Sequence, residues 1–145
     1  MTTRQAIKQG RQRGRGALVW LAEHGDYVFH GSEEKIARLE PRQAFNFDHK
    51  LQKSVNDGKP AVCASFEPDT AIFMAVVNPS AAKMYNEHCS FSYRNGHFTY
   101  RSSKKLLQKA KKKTGYVHVF SKKRFTLYRG MEWRSYKAVK PLSVV

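Results

Sequence analysis

The dipeptide Asn95-Gly96 stands between two alternating stretches, Cys89-Ser90-Phe91-Ser92-Tyr93 and His97-Phe98-Thr99-Tyr100-Arg101. Asn-Gly accepts left-handed backbone at both central turn positions, and that turn matches the twist of an antiparallel pair. A hairpin is therefore expected here, and the rest of the chain falls into pieces just as short. Tyr27-Val28-Phe29 has strand character and runs into His30-Gly31-Ser32. Ala61–Ala64 reads as a buried strand, and Tyr116–Phe120, Thr126–Tyr128, the stretch after Gly130 and Val139–Val144 read as further strands. Pro68 and Asp69 open a helix over Ala71–Val77. Ser102 is the expected cap of a helix over Lys104–Lys113, with Leu106, Leu107 and Ala110 as its apolar stripe. Ser32 is expected to cap a short helix carrying Ile36 and Leu39, and Ser80–Asn86 another. Ala17–Glu23 fits a helix or a strand, and Arg42–Asn56 reads as a long, partly helical loop anchored by Phe45, Phe47 and Leu51. The class is α+β, with a basic arm over 1–16 and one domain over 17–145.

Charge narrows the partners. The 145 residues hold 27 Lys and Arg against 11 Asp and Glu, a formal net charge of +16. Such a surplus points to a polyanion, nucleic acid before an anionic membrane. It is densest in two places. The arm carries Arg11, Arg13 and Arg15 between glycines, too polar to offset its ordering entropy by burial. It reads as a phosphate-tracking segment or a plain disordered tail, with an organelle-targeting peptide as a third reading. Lys104, Lys105, Lys109, Lys111, Lys112 and Lys113 form the second concentration, either a solvated helix face or a nucleic-acid contact. Cys63 and Cys89 lack metal-ligand spacing, so no metal is expected. No apolar run approaches the roughly 20 residues of a membrane span. These features suggest a cytoplasmic protein without a membrane partner, and leave the oligomeric state open.

Two residues carry the candidate chemistry. His30 ends a buried strand, where a ring nitrogen can face a cleft. Glu132 is an isolated acid in the context Gly130-Met131-Glu132-Trp133. Such a pair suits ribose hydroxyls, and a carboxylate stabilises a developing oxocarbenium ion.

Three stretches in order resemble the core of ADP-ribosyltransferases of the poly(ADP-ribose) polymerase or diphtheria-toxin type: Phe29-His30-Gly31-Ser32, then Gly58–Ala64 running into Asp69–Phe73, then Met131–Tyr136. The resemblance implies two small packed, mostly antiparallel sheets with short flanking helices around a cleft for NAD, the substrate. His30 would hold the adenosine ribose, and Gly31 and Ser32 the nicotinamide carboxamide. Phe73 would stack on nicotinamide, and Glu132 would hold the nicotinamide ribose and favour departure of nicotinamide. Val62 stands where the family has a second stacking Tyr. Gly130 stands where arginine-modifying members carry Gln or Glu, which disfavours arginine as acceptor. The implied activity is NAD-dependent mono-ADP-ribosylation of a nucleic acid or a protein bound to one. The alternatives are a catalytically silent module of this fold that binds RNA or DNA, and a basic ribonuclease-like enzyme using histidines as acid and base.

Overall fold

The computed structural model describes residues 2–9, 13–77, 89–130 and 132–145. Among these residues there are ten strands: β1 Tyr27–Ser32, β2 Phe45–Asp48, β3 Lys53–Asn56, β4 Val62–Ser65, β5 Cys89–Arg94, β6 His97–Ser102, β7 Tyr116–Ser121, β8 Thr126–Arg129, β9 Glu132–Ser135 and β10 Ser143–Val144. Six form one sheet in the order β10-β7-β1-β4-β9-β8, and β2-β3 and β5-β6 are separate two-stranded ribbons. Every strand pair among them is antiparallel. The α+β class and the antiparallel pairing expected from the sequence are both seen. The six-stranded sheet has two halves. β1 pairs with β7 along its whole length, and β4 with β9, but β1 and β4 share one residue pair, Phe29↔Ser65. Beyond that pair the halves part.

Four α-helices among the described residues accompany the strands: α1 Thr3–Gln9, α2 Arg15–His24, α3 Pro68–Val76 and α4 Lys104–Ala110. In α2, Ala17, Leu18 and Leu21 recur on one side, and all three are buried. Leu18 and Leu21 pack with Phe29, Ala71, Val117 and Val119 on one face of the sheet. Burying each leucine contributes about 1.5–3 kcal/mol. The sequence left helix and strand open here; tertiary burial of this stripe selects the helix. In α3, Pro68 takes the first turn and the Glu67 side chain accepts a hydrogen bond from Asp69 N–H at 3.3 Å. The opposite face of the sheet is closed by Val28, Leu39, Val62, Ala64, Phe120, Phe125 and Val139.

Several expectations are corrected. Ser32 caps no helix; its Oγ accepts from Glu34 N–H at 3.2 Å in a tight turn, and Leu39 instead pairs with Val139. Arg42–Asn56 is no partly helical loop: it contains the β2-β3 ribbon, and Phe45 and Leu51 are 63% and 58% exposed rather than anchors. Ser103, not Ser102, caps α4 by accepting from Leu106 N–H, and Leu107 is exposed. The arm is not structureless, since Thr3–Gln9 is helical. Thr2 and Gln5 cap it reciprocally, Gln5 N–H to Thr2 Oγ1 at 3.1 Å and Thr2 N–H to Gln5 Oε1 at 2.7 Å. The helix expected over Ser80–Asn86 lies outside the described residues.

Candidate functional site

A cleft of about 500 Å³ opens where the two sheet halves part. That is within the size range of small-molecule sites, on the order of 300–1,000 Å³. β1 brings Phe29, His30 and Gly31 to it, and β4 brings Cys63, Ala64 and Ser65. The register pairs Ser65 with Glu132 and Cys63 with Arg134. Side chains alternate along a strand, so these four share one face. α3 contributes Thr70, Ala71 and Met74, and the β5-β6 ribbon contributes Phe91, Tyr93 and Phe98. The fold therefore brings His30, Gly31 and Glu132, distant in sequence, to one cavity.

His30 occupies the split itself. Its Nδ1 lies 2.7 Å from the Cys63 carbonyl oxygen, which the parted ladder leaves without a strand partner across β1. Burial lowers its pKa, outweighing the Cys63 hydrogen bond that favours the charged form. The neutral ring must donate from Nδ1 to that carbonyl, so Nε2 is an acceptor. An acceptor suits a hydroxyl donor such as a ribose. His118, opposite His30 on β7, is fully buried. Its Nε2 accepts from Ile36 N–H at 2.9 Å, so the proton sits on Nδ1 and donates to the His30 carbonyl at 3.3 Å. Burial lowers the His118 pKa as well. With both nitrogens engaged, His118 does not complete an acid–base histidine pair with His30.

Glu132 is held by a buried arginine. Arg134 Nη2 lies 3.2 Å from Glu132 Oε2; the Arg134 side chain is fully buried, whereas that of Glu132 is 32% exposed. Arg134 also donates to the Asp57 backbone carbonyl at 2.7 Å and to its carboxylate at 3.1 Å. The Tyr128 ring lies 3.7 Å from the guanidinium carbon. Burial opposes the Arg134 charge, but Cys63, Glu132 and Asp57 outweigh it and raise the pKa. The Asp57 carboxylate accepts further bonds from Tyr128 and Arg129, each at 3.0 Å. Burial, together with the negative charge of Glu132, pushes the Cys63 thiol up to about 11. Cys63 is thus a neutral thiol on the cleft floor, not a nucleophile at neutral pH.

The remaining residues singled out in the sequence lie elsewhere. Val62 is buried in the core of the opposite sheet face. Phe73 is buried with Val77 and Leu106, with Tyr100 and Phe91 rings at 5.3 and 6.2 Å. Neither lines the cleft, because the turn of α3 that faces it carries Thr70, Ala71 and Met74. Ser32 lies just beyond the lining residues of β1. Arg11 lies outside the described residues. Arg13 is exposed, and Arg15 opens α2 with its guanidinium 2.7 Å from Asp69. Lys104, Lys105, Lys111 and Lys112 are exposed on or just after α4, Lys109 is half-buried, and Lys113 is paired with Glu33 at 2.7 Å. The sequence reading missed Arg134 and the ribbon aromatics. Strand alternation was the available signal for both: Arg134 is two residues after Glu132, and Phe91 and Tyr93 alternate with serines. Asp57 had no local signal, because only the tertiary fold brings it to Arg134.

Comparison of the chain with protein-family models, with curated proteins and with solved structures gives no match in any of the three. Among the described residues, no group of three or more His, Cys, Asp and Glu is arranged to hold a metal ion. Among the same residues, no helix is long and apolar enough to cross a membrane.

Proposed function

We propose that the chain is an ADP-ribosyltransferase that cleaves NAD and passes ADP-ribose to a nucleic acid or a nucleic-acid-bound protein. The observation that carries this reading is the meeting of His30 and Glu132 in the cleft where the sheet halves part. In this reading Nε2 of His30 accepts a hydrogen bond from the adenosine ribose. Glu132 accepts one from the nicotinamide ribose and faces the anomeric carbon. As the bond to nicotinamide breaks, its electron pair leaves with the ring and positive charge spreads over the sugar. A carboxylate fixed beside that charge lowers the barrier. Arg134 holds the Glu132 carboxylate in place, with Nη2 3.2 Å from Oε2. The ring surface sought at Phe73 is supplied by Phe91, which stands edge-on to Phe73 and reaches the cleft. The two free cysteines, neither of them in a disulfide, fit a reducing cytoplasm.

The test is release of nicotinamide from labelled NAD, with nucleic-acid and protein pools assayed separately for label. Glu132→Gln keeps a polar group of the same shape but removes the charge. It is expected to lower kcat by about 10²-fold or more with little change in NAD affinity. Unchanged turnover in the folded variant removes Glu132 from the chemistry. The ion pair of Glu132 with Arg134 favours a second reading, a silent module in which the carboxylate serves structure alone. Nucleic-acid binding with no nicotinamide release by the wild type selects it.

A further inference from the structure

The β5-β6 ribbon has two unlike faces. Its register pairs Phe91 with Tyr100 and Tyr93 with Phe98, so these four aromatics share one face. The other face carries Ser90, Ser92, Arg94, His97, Thr99 and Arg101, every one exposed. On the aromatic face, the end near α3 is anchored: Tyr100 OH lies 2.8 Å from Thr70 Oγ1. On the β5 side the same face is open, with Phe91 45% exposed. Tyr93 and Phe98 have ring centroids 4.8 Å apart, Tyr93 is 39% exposed, and both line the cleft. An exposed tyrosine at the mouth of a cleft is an unspent stacking surface.

Charge says what covers it. From Cys89 to Lys113 the sequence has eight Lys and Arg and not one Asp or Glu. Hydroxyls and arginines on one face, with aromatic rings on the other, match a strand that offers phosphates and unstacked bases. A duplex keeps its bases stacked inside and has nothing to give to Tyr93.

We infer that this ribbon is a platform for single-stranded nucleic acid, with one base stacked on Tyr93 and Phe98 at the cleft mouth and the strand passing over the ribbon edge, so that phosphates further along it meet Arg94 and Arg101 on the other face. The inference takes its partner class from the proposed function but does not depend on cleavage of NAD. It places an unpaired nucleotide beside the cleft, where an acceptor is required.

The experiment is a fluorescence-anisotropy titration of the full chain with a labelled twelve-nucleotide RNA, single-stranded and as a duplex, at several salt concentrations. Tyr93→Ala is expected to weaken single-strand binding by about ten-fold or more, and Tyr93→Phe to preserve it, because stacking needs the ring and not the hydroxyl. Arg94→Gln with Arg101→Gln is expected to reduce the salt slope by about 1.4, at roughly 0.7 for each single-strand phosphate no longer neutralised. Equal affinity for single strand and duplex, with Tyr93→Ala without effect, overturns the platform. So does tight binding to vesicles of anionic phospholipid in place of RNA. Nicotinamide release measured on the same samples judges the transferase reading separately. RNA binding that depends on Tyr93 but comes without nicotinamide release supports the platform alone. Nicotinamide release with no dependence of RNA binding on Tyr93 discards it.

Discussion

His30 and His118 face each other across β1 and β7 with ring centroids 6.1 Å apart, and both work as neutral groups. Burial lowers each pKa from an ordinary value of 6.5. The sign of the pH dependence follows. Well above 6.5, from about pH 7.5 upward, both states of the chain hold these rings neutral, and neither ring contributes a pH slope. As pH falls below 6.5, the unfolded chain takes up protons that the folded chain refuses, so stability falls with pH. The loss stops growing once pH passes below the folded pKa values. Melting temperature is therefore expected to drop as pH is lowered from about 7.5 to about 5.5, before ordinary carboxylates titrate. His118→Gln, which does not titrate in this range, is expected to show a shallower drop from a lower starting point, because it perturbs the bonds to Ile36 and His30. An equally steep drop in this variant assigns the acid sensitivity elsewhere. The same two rings show what a local reading misses. Strand character running into His30-Gly31 was enough to single out His30, although β1 does not end there but pairs with β7 through Ser32. Nothing near His118 in sequence reveals that its nitrogens bind Ile36 and the His30 carbonyl.

Among the elements, α3 and β1 approach each other closely, and Gly31 is the reason. A Cβ at Gly31 would sit 1.8 Å from the Ala71 carbonyl oxygen and 2.8 Å from Ala75 N. The small residues Ala71 and Ala75 and this glycine let the helix lie almost against the strand. The sequence reading gave Gly31 a role in holding a ligand; the structure gives it a packing role as well. Gly31→Ala forces backbone against backbone and is expected to destabilise by about 1–3 kcal/mol or more, read from urea denaturation. A variant of unchanged stability that loses only NAD affinity makes ligand approach the sole reason for the glycine. Elements were legible where one local rule decided them. Asn95-Gly96 fixed the ribbon, Pro68 and Asp69 the start of α3, and alternation gave β7. They were not legible where chain distant in sequence decides. β2 and β3 lie in a stretch where Phe45 and Leu51 face solvent, and the residue pattern of 32–39 suits a helix until the Leu39–Val139 pairing draws it out. The candidate site was legible as His30, Gly31 and Glu132. Phe73 was misplaced because a helix start does not fix which turn faces the cleft.

At the scale of the molecule, a net charge of +16 must be solvated or partnered. The structure separates its local roles. Arg15 is bonded to Asp69 on the surface, Arg129 and Arg134 to Asp57, and Lys113 to Glu33. Lys111 and Lys112 lie exposed where the chain leaves α4, and Lys104 is exposed at its start. These continue, through Ser103, the stretch of sequence from Cys89 to Lys113 that holds no Asp or Glu. A polyanion drawn along the ribbon meets them next, and each phosphate neutralised releases counterions, so affinity falls steeply with salt. Replacing Lys109, Lys111, Lys112 and Lys113 with Gln is expected to reduce the slope of log affinity against log salt by about 1 for each phosphate no longer neutralised. Lys113 is expected to account for least of it, because Glu33 already neutralises it. The change is expected to be the same for RNAs of different sequence, since binding to a phosphate carries no base information. Nicotinamide release is expected to persist, because none of the four lysines lines the cleft. Titration of a short RNA at several salt concentrations decides it. An unchanged slope reduces the α4 lysines to a solvated face and leaves the ribbon arginines to bind the phosphates alone.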